Sequence, residues 1–489
     1  MRKPLLLTLG VLAAAASAEL VAAQDTPGNL TAAKQPGGGL GGTAAVARSD
    51  TSHRAVAYSI VDTGQTHCFS DRGQLLEAPR PGQAFFGQDA FYQGPKPAYR
   101  DNADGTISDL NTGLMWQKSA ELDRRLTFPE ACDRAKKSQL AGYRDWRLPT
   151  IKQLYSLIDF NGTVRRQPPV PYLDTRCFDF RYGDESKGER QIDSQYWSST
   201  EYVGLTMRGN VTVFGVNFAD GRIKGYPRDI GPRGEPAVHF VRLVRGNPDY
   251  GENRFVAGGD GIVSDLATGL MWSRADSGKG LNWQDALAWC EDLTLAGHDD
   301  WRLPNAKELQ SIVDYTRAPD ARDAARRGPA IDPIFAVSDD EAWYWSSTTH
   351  LEGPGGQGAA AVYVAFGRAT GFMPGPGGRR RAMNVHGAGA QRSDPKNGDP
   401  KSPRWSGGLG PQGDEIRIFN YARAVRNIGP DAVQLVQPDL TPLPVPRVFP
   451  GPPPGFPGFP GMKPPPRKLG FPLGVQSRQR SEGVRRPGG

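Results

Sequence analysis

"AGYRDWRLPTIKQLYSLIDF" (residues 141–160) and "AGHDDWRLPNAKELQSIVDY" (296–315) are one stretch written twice in a single chain. Each carries its own folding instructions. Gly142 and Gly297 close a preceding helix. "DWRLP" is an extended link, and its proline prevents the helices on either side from joining into one. Thr150 or Asn305 then caps a second helix, with Ile151, Leu154, Tyr155 and Ile158 of the first copy along one face.

The repetition extends outward in both directions. "DGTISDLNTGLMW" (104–116) returns as "DGIVSDLATGLMW" (260–272), and "YWSST" (196–200) returns at 344–348. "VNFADGRIKGY" (216–226) is echoed by "VAFGRATGF" (364–372), and "VRLVRG" (241–246) by "ARAVRN" (422–427). Solenoid repeats recur every ~20–50 residues, so a spacing of roughly 150 residues is a domain duplication. Within a copy, Asp104-Gly105 is a hairpin turn and Asn111-Thr112-Gly113 a second turn before an apolar strand. Thr127 with Glu130 three residues on is a capping-box start for the first helix, and Asn282 with Asp285 repeats it. These signals predict an α+β fold. Two tandem modules, 99–246 and 250–428, each combine two helices, a small mostly antiparallel sheet and long loops.

The flanks read differently. Residues 1–18 resemble a secretion signal, with Arg2 and Lys3 before an apolar run and Ala16-Ser17-Ala18 as cleavage site; an alternative cut follows Ala23. Residues 24–55 form a Gly/Ala/Thr-rich linker. Residues 56–98 predict a short β-rich preface with turns at Thr63-Gly64 and Asp71-Arg72-Gly73. Residues 440–489 are Pro-rich and basic, a composition that favours disorder or polyproline structure. A secreted or periplasmic protein is expected, with no transmembrane segment in the mature chain, because no later stretch approaches 18 consecutive apolar residues. From Thr441 onward there are eight Lys or Arg and one acidic residue, Glu482, which accounts for the whole net charge of +7. The modules are electrically even, so no nucleic-acid partner is expected; the tail is suited to an anionic surface. Cys68, Cys132, Cys177 and Cys290 do not define a disulfide scaffold, although Cys132 and Cys177 share the first copy and an exported chain permits a bridge.

Candidate chemistry is sparse. The six His show no metal-ligand spacing, and no nucleophile elbow, phosphate loop or dinucleotide fingerprint is present, so the sequence points away from an enzyme. Asp101, Asn102, Asp104 and Asp109 are hard oxygen donors around a Gly-containing turn, a set suited to Ca²⁺; the competing reading is a plain Asp-Gly hairpin. Trp146 and Trp301 of "DWRLP" can stack on a sugar, and Arg147 and Arg302 can hold an anion; alternatively they, with Trp116, Trp197, Trp272 and Trp345, are scaffold. Arg222, Lys224 and Arg228 in one copy, and Arg379, Arg380 and Arg381 in the other, are expected on exposed loops as ligand-binding cations.

Taken together, "DGT…TGLMW", "GYRDWRLPTIKQL" and "YWSST" resemble the Lcl C-terminal domain family, the ligand-binding domain of a bacterial collagen-like adhesin. Both copies match in order and spacing over about two-thirds of the chain. The resemblance implies a variant of the C-type lectin-like fold, distantly related to formylglycine-generating enzymes, and a sulfated glycosaminoglycan-like polymer as ligand. The chain departs from the adhesin in having no Gly-X-Y array. Gln437-Pro438-Asp439 looks like one half of a lectin calcium motif, but it lies beyond the modules and lacks the second half. Tandem members of the family carry Cys near the positions of Ala365 and Ala424, so the resemblance implies joint loss of one disulfide. The catalytic cysteines of the enzymes have no counterpart.

The expectation is therefore an exported, non-enzymatic binding protein for cell-envelope or extracellular polysaccharide, with duplication raising avidity. Two alternatives are an envelope structural or partner-docking protein that uses the Pro-rich tail, and a metal-dependent enzyme on the formylglycine-related fold.

Overall fold

The computed structural model describes residues 56–428, apart from 123, 208, 232–233, 375–379, 406–409 and 411–412. The signal sequence, the 24–55 linker, the Gln437-Pro438-Asp439 string and the Pro-rich tail lie outside the described residues.

The preface contributes one small hairpin, β1 (Cys68–Phe69) with β2 (Leu75–Leu76), closed by a turn in which Gly73 N donates to Ser70 O. It holds less strand than its alternating sequence predicts, because most of it runs as an irregular segment bonded to both copies, at Phe160 and Asn161 of the first and Ala267 and Thr349 of the second. The first copy opens with β3 (Tyr99–Asp101), β4 (Thr106–Asp109) and β5 (Leu114–Gln117), joined by the two expected turns. Gly105 and Gly113 sit at φ +86° and +70°, a region open to glycine at little cost. Helix α1 (Phe128–Lys137) starts on a complete Thr127/Glu130 capping box and ends at Ser138, before Gly142. Helix α2 (Ile151–Tyr155) starts on a second capping box, Thr150 with Gln153. Strands β6 (Gln195–Glu201), β7 (Thr212–Asn217), β8 (Arg222–Pro227) and β9 (Val244–Gly246) follow.

The second copy repeats this plan. It comprises β10 (Phe255–Ala257), β11 (Ile262–Asp265), β12 (Leu270–Ser273), α3 (Trp283–Glu291), α4 (Ala306–Ser311), β13 (Trp343–His350), β14 (Ala360–Ala365), β15 (Thr370–Pro374), β16 (Arg380–Asn384), β17 (Gln391–Pro395) and β18 (Val425–Asn427). Two equivalent four-stranded antiparallel sheets result, β3-β4-β5-β9 and β10-β11-β12-β18. The third sheet belongs to both copies. Its order is β13-β14-β17-β8-β7-β6, and it is joined across the copies by antiparallel pairing of Gln391 with Ile223.

The repeated strings are chiefly scaffold. Trp116, Trp146, Trp197, Trp272, Trp301 and Trp345 are all buried. Trp197 Nε1 donates to Leu126 O at 2.8 Å, and Trp345 Nε1 makes the same bond to Leu281 O at 2.9 Å. Burying each indole removes roughly 200 Å² from water, an upper bound of about 5 kcal/mol apiece. The serines and threonines of "YWSST" do equivalent work in both copies. Ser198 and Ser346 donate to Phe214 O and Val362 O, while Thr200 and Thr348 accept the first amide of the second helix, from Ile151 and Ala306.

One hydrophobic cluster runs through both copies, from Tyr58 and Trp116 to Trp345 and Val425. Two equivalent lysines cross its middle. Lys152 Nζ of α2 donates to Ser311 O at the end of α4, and also to Gly251 O and Asn253 Oδ1, at 2.7–2.9 Å. Lys307 Nζ of α4 reciprocates with Ser156 O at the end of α2, at 2.9 Å, and takes Asp62 O of the preface at 2.8 Å. Burial pushes both ammonium groups down to about 8. A buried carbonyl that loses its donor costs about 1–3 kcal/mol. Replacing either lysine by Met keeps the bulk and removes the donor. Each substitution is therefore expected to lower the unfolding free energy by about 2 kcal/mol in urea titration; unchanged stability would show that the exchange carries no weight.

Candidate functional site

The seam between β8 and β17 gathers charge, and this corrects the expectation that Arg222 and Lys224 are exposed loop cations. Both lie on β8 and both are buried, with side-chain exposures of 7 % and 8 %. Lys224 Nζ is 2.7 Å and Arg222 Nη1 2.9 Å from Asp220 Oδ2. Burial disfavours the Asp220 charge, but Lys224, Arg222 and Arg392 outweigh it and hold the carboxyl well below the usual carboxylate range. The second copy supplies a matching set. On β17, Arg392 pairs with Asp414, whose Oδ1 is 3.0 Å from His386 Nε2. His350 donates from Nε2 to Asp220 O at 2.9 Å and meets Ser393 Oγ through Nδ1 at 2.7 Å, and burial keeps its ring neutral.

Asp220, Arg222, Arg392 and Asp414 of this set, with Arg165 and Glu352, line a recess of about 150 Å³. Three cations face three carboxylates. The recess is an electrostatic lock between the copies, and Ser393, whose Oγ meets the neutral His350 ring at 2.7 Å, stands in its wall. Arg222 and Arg392 are held by Asp220 and Asp414, whereas Arg165 is part-exposed and 3.6 Å from Glu352.

The remaining candidates are scattered. Arg228 is partly exposed and bound to Asp229 and Glu201 at 3.1 and 3.4 Å. Arg380 and Arg381 are exposed on β16, which pairs only with β15. Arg379 lies outside the described residues. The proposed Ca²⁺ ligands do not assemble. Asp101 binds Ala103 N and Lys118, Asp104 binds Thr106, Asp109 binds Asn111 N and Thr112 N, and Asn102 donates to Thr106 and Ser108. Every one serves its own turn, and among the described residues no group of three or more His, Cys, Asp or Glu is placed to hold a metal ion. The four cysteines are free, so Cys132 and Cys177 are not bridged; burial pushes the Cys68 thiol up to about 12. Ala365 and Ala424 are both fully buried in the shared core.

The "DWRLP" arginines show how the copies part. Arg302 is buried and holds Glu308 through two bonds of 2.7 Å. In the first copy Gln153 stands at the position of Glu308, and the Arg147 side chain makes one long bond, 3.4 Å, to Gly246 O. A pair that the sequence reading missed is Arg242 and Arg423. Each is fully buried and donates to three backbone carbonyls: Gln117, Lys118 and Asp179 in the first copy, Ser273, Arg274 and Ala336 in the second. The echo of "VRLVRG" in "ARAVRN" was the available signal.

Burial raises three carboxyls among the described residues toward neutrality. Asp394, beside the seam on β17, is pushed up to about 7 by burial, despite accepting from Arg417 N, Ile418 N and Asn420 Nδ2. Asp89 and Glu291 are likewise raised to about 7 by burial. Between roughly pH 4 and 7 the native state keeps protons that the unfolded chain has released, so their contribution is full at low pH and is lost as pH rises through 7. Burial lowers His239, His350 and His386, which act in the opposite sense below about pH 6.5, so the carboxyl contribution is read as a difference between variants. Asp394→Asn is expected to gain stability relative to the parent chain as pH rises from about 5 to 8, and a parent-minus-variant difference in melting temperature that stays constant across this range would contradict the assignment.

Comparison with curated proteins and with solved structures finds no significant match. The family described as the Lcl C-terminal domain matches residues 105–245 and again 261–383, more than half of the chain and one match in each copy. On that ground the chain belongs to the Lcl C-terminal domain family, in two tandem copies.

Proposed function

We propose that this protein is an exported, non-enzymatic binding protein whose two C-type lectin-like copies engage anionic polysaccharide of the cell envelope or surroundings. One observation carries the reading. Arg222 and Lys224 are consumed by buried ion pairs at the seam, while Arg380 and Arg381 stand exposed on a two-stranded hairpin outside the shared sheet. Guanidinium groups on a braced hairpin suit sulfate and carboxylate groups, which they meet through paired N–H donors. Arg228 is a secondary contact. Among the described residues no helix is long and apolar enough to cross a membrane, which is compatible with export.

The test is retention of the full chain on immobilised heparin along a salt gradient. Arg380→Glu/Arg381→Glu is expected to weaken binding about ten-fold and to elute at lower salt. Lys463→Glu/Arg467→Glu/Lys468→Glu measures the share of the tail separately. Absence of retention at low salt, or hairpin and parent chains eluting together, overturns the proposal. So does loss of all retention in the tail variant alone.

A further inference from the structure

The duplication predicts two equivalent grooves, one at the start of each second helix, and the structure leaves only one of them covered. At α4 the preface fills the space. Thr63 O accepts from Phe160 N at 2.8 Å, Gly64 O accepts from Asn161 Nδ2 at 2.6 Å, and Asp89 Oδ2 accepts from both Thr348 Oγ1 and Thr63 Oγ1. At α2 the corresponding residues, Thr150, Thr200, Asp314, Tyr315 and Thr316, border an open groove of about 270 Å³. The chain thus closes one groove with its own segment and leaves its twin available.

The open groove has a definite chemistry. Tyr250, Phe255 and Tyr315 supply aromatic walls, and Glu252, Asp314 and Asp332 supply carboxylates. Among its described lining residues the one cation, Lys152, already donates to Gly251, Asn253 and Ser311. An occupant that fits is extended, rich in apolar rings and positively charged. Residues 463–468 of this chain, Lys-Pro-Pro-Pro-Arg-Lys, have that composition. Proline restricts the backbone of any segment that contains it, which reduces the entropy lost on docking against aromatic walls. Proline lacks an N–H and so strands no donor in the groove, and the peptide carbonyls remain able to accept from hydroxyls such as that of Thr200.

We propose that the Pro-rich basic tail docks within its own chain into the groove at the start of α2, with Lys463, Arg467 and Lys468 facing Glu252, Asp314 and Asp332. Reach is not limiting. The tail follows Ile428, and the 34 residues between Ile428 and Lys463 can span up to roughly 110 Å at ~3.1 Å per residue, against about 50 Å across a body of this size. This proposal is independent of the polysaccharide reading, since it uses neither the β15–β16 hairpin nor a glycan.

The test uses the full chain and a zero-length carbodiimide cross-linker, which joins a lysine to a carboxylate only in direct contact. The expected result is an isopeptide bond within the monomer from Lys463 or Lys468 to Glu252, Asp314 or Asp332. In parallel, Lys463→Glu/Arg467→Glu/Lys468→Glu is expected to speed amide hydrogen exchange across residues 312–316 about five-fold, with the melting temperature unchanged. Coupling of these lysines only to other carboxylates, or exchange identical to the parent chain, overturns the proposal. Cross-links found only in a covalent dimer overturn the intrachain docking and give the groove to a second copy.

Discussion

Two buried ammonium groups hold this molecule together at its centre. Lys152 and Lys307 occupy the same place in the two copies, and each donates to the backbone carbonyl at the end of the other copy's second helix. A carbonyl at a helix end has no partner within its helix, so it must find one from outside or remain unpaired. Here each copy supplies the donor its twin lacks. Separating the copies would expose part of the shared core, break the Gln391–Ile223 link in the central sheet and leave both helix ends without their donors. The duplication accordingly behaves as two halves of one folding unit.

Once the halves are fused, the differences between them decide what is closed and what is open. Glu308 locks Arg302 in the second copy, while Gln153 leaves Arg147 with a single long bond. The preface seals the groove at α4 and leaves the one at α2 uncovered. The same asymmetry applies to charge. Cations at the seam are neutralised by Asp220 and Asp414, whereas those on the β15–β16 hairpin face outward. Available binding chemistry therefore lies where the repeats diverge.

Local rules in the sequence anticipated what is local in the structure. The Asp104-Gly105 turn, the Thr127 and Thr150 caps and the six scaffold tryptophans all depend on neighbours within a few residues or on bulk burial. The misreading of Arg222 and Lys224 has an equally physical origin. "DGRIKGYPRD" follows a turn signal and places charge at every second position, the pattern of a strand face in water. In the structure β17 pairs at the edge of that strand and the second copy covers its charged face, so solvent is replaced by Asp220 and by the arginine network of the other copy. A single repeat contains no trace of that cover. Its nearest clue was Asp220 itself, two and four residues before the cations it neutralises. Arg242 and Arg423 escaped for the opposite reason: their hydrogen-bond partners are backbone carbonyls, so the repeat echo marks the positions but no partner side chain beside it tells what they bind.

The claim that the copies form one cooperative body is tested most directly by scanning calorimetry of the full chain. Fusion through the shared core and the reciprocal lysines predicts one heat-absorption peak, with calorimetric and van't Hoff enthalpies equal and near 260 kcal/mol, on the order of 0.7 kcal/mol for each of about 370 residues. Two resolved peaks, or a van't Hoff enthalpy about half the calorimetric value, would mean that each copy folds alone and would contradict the account.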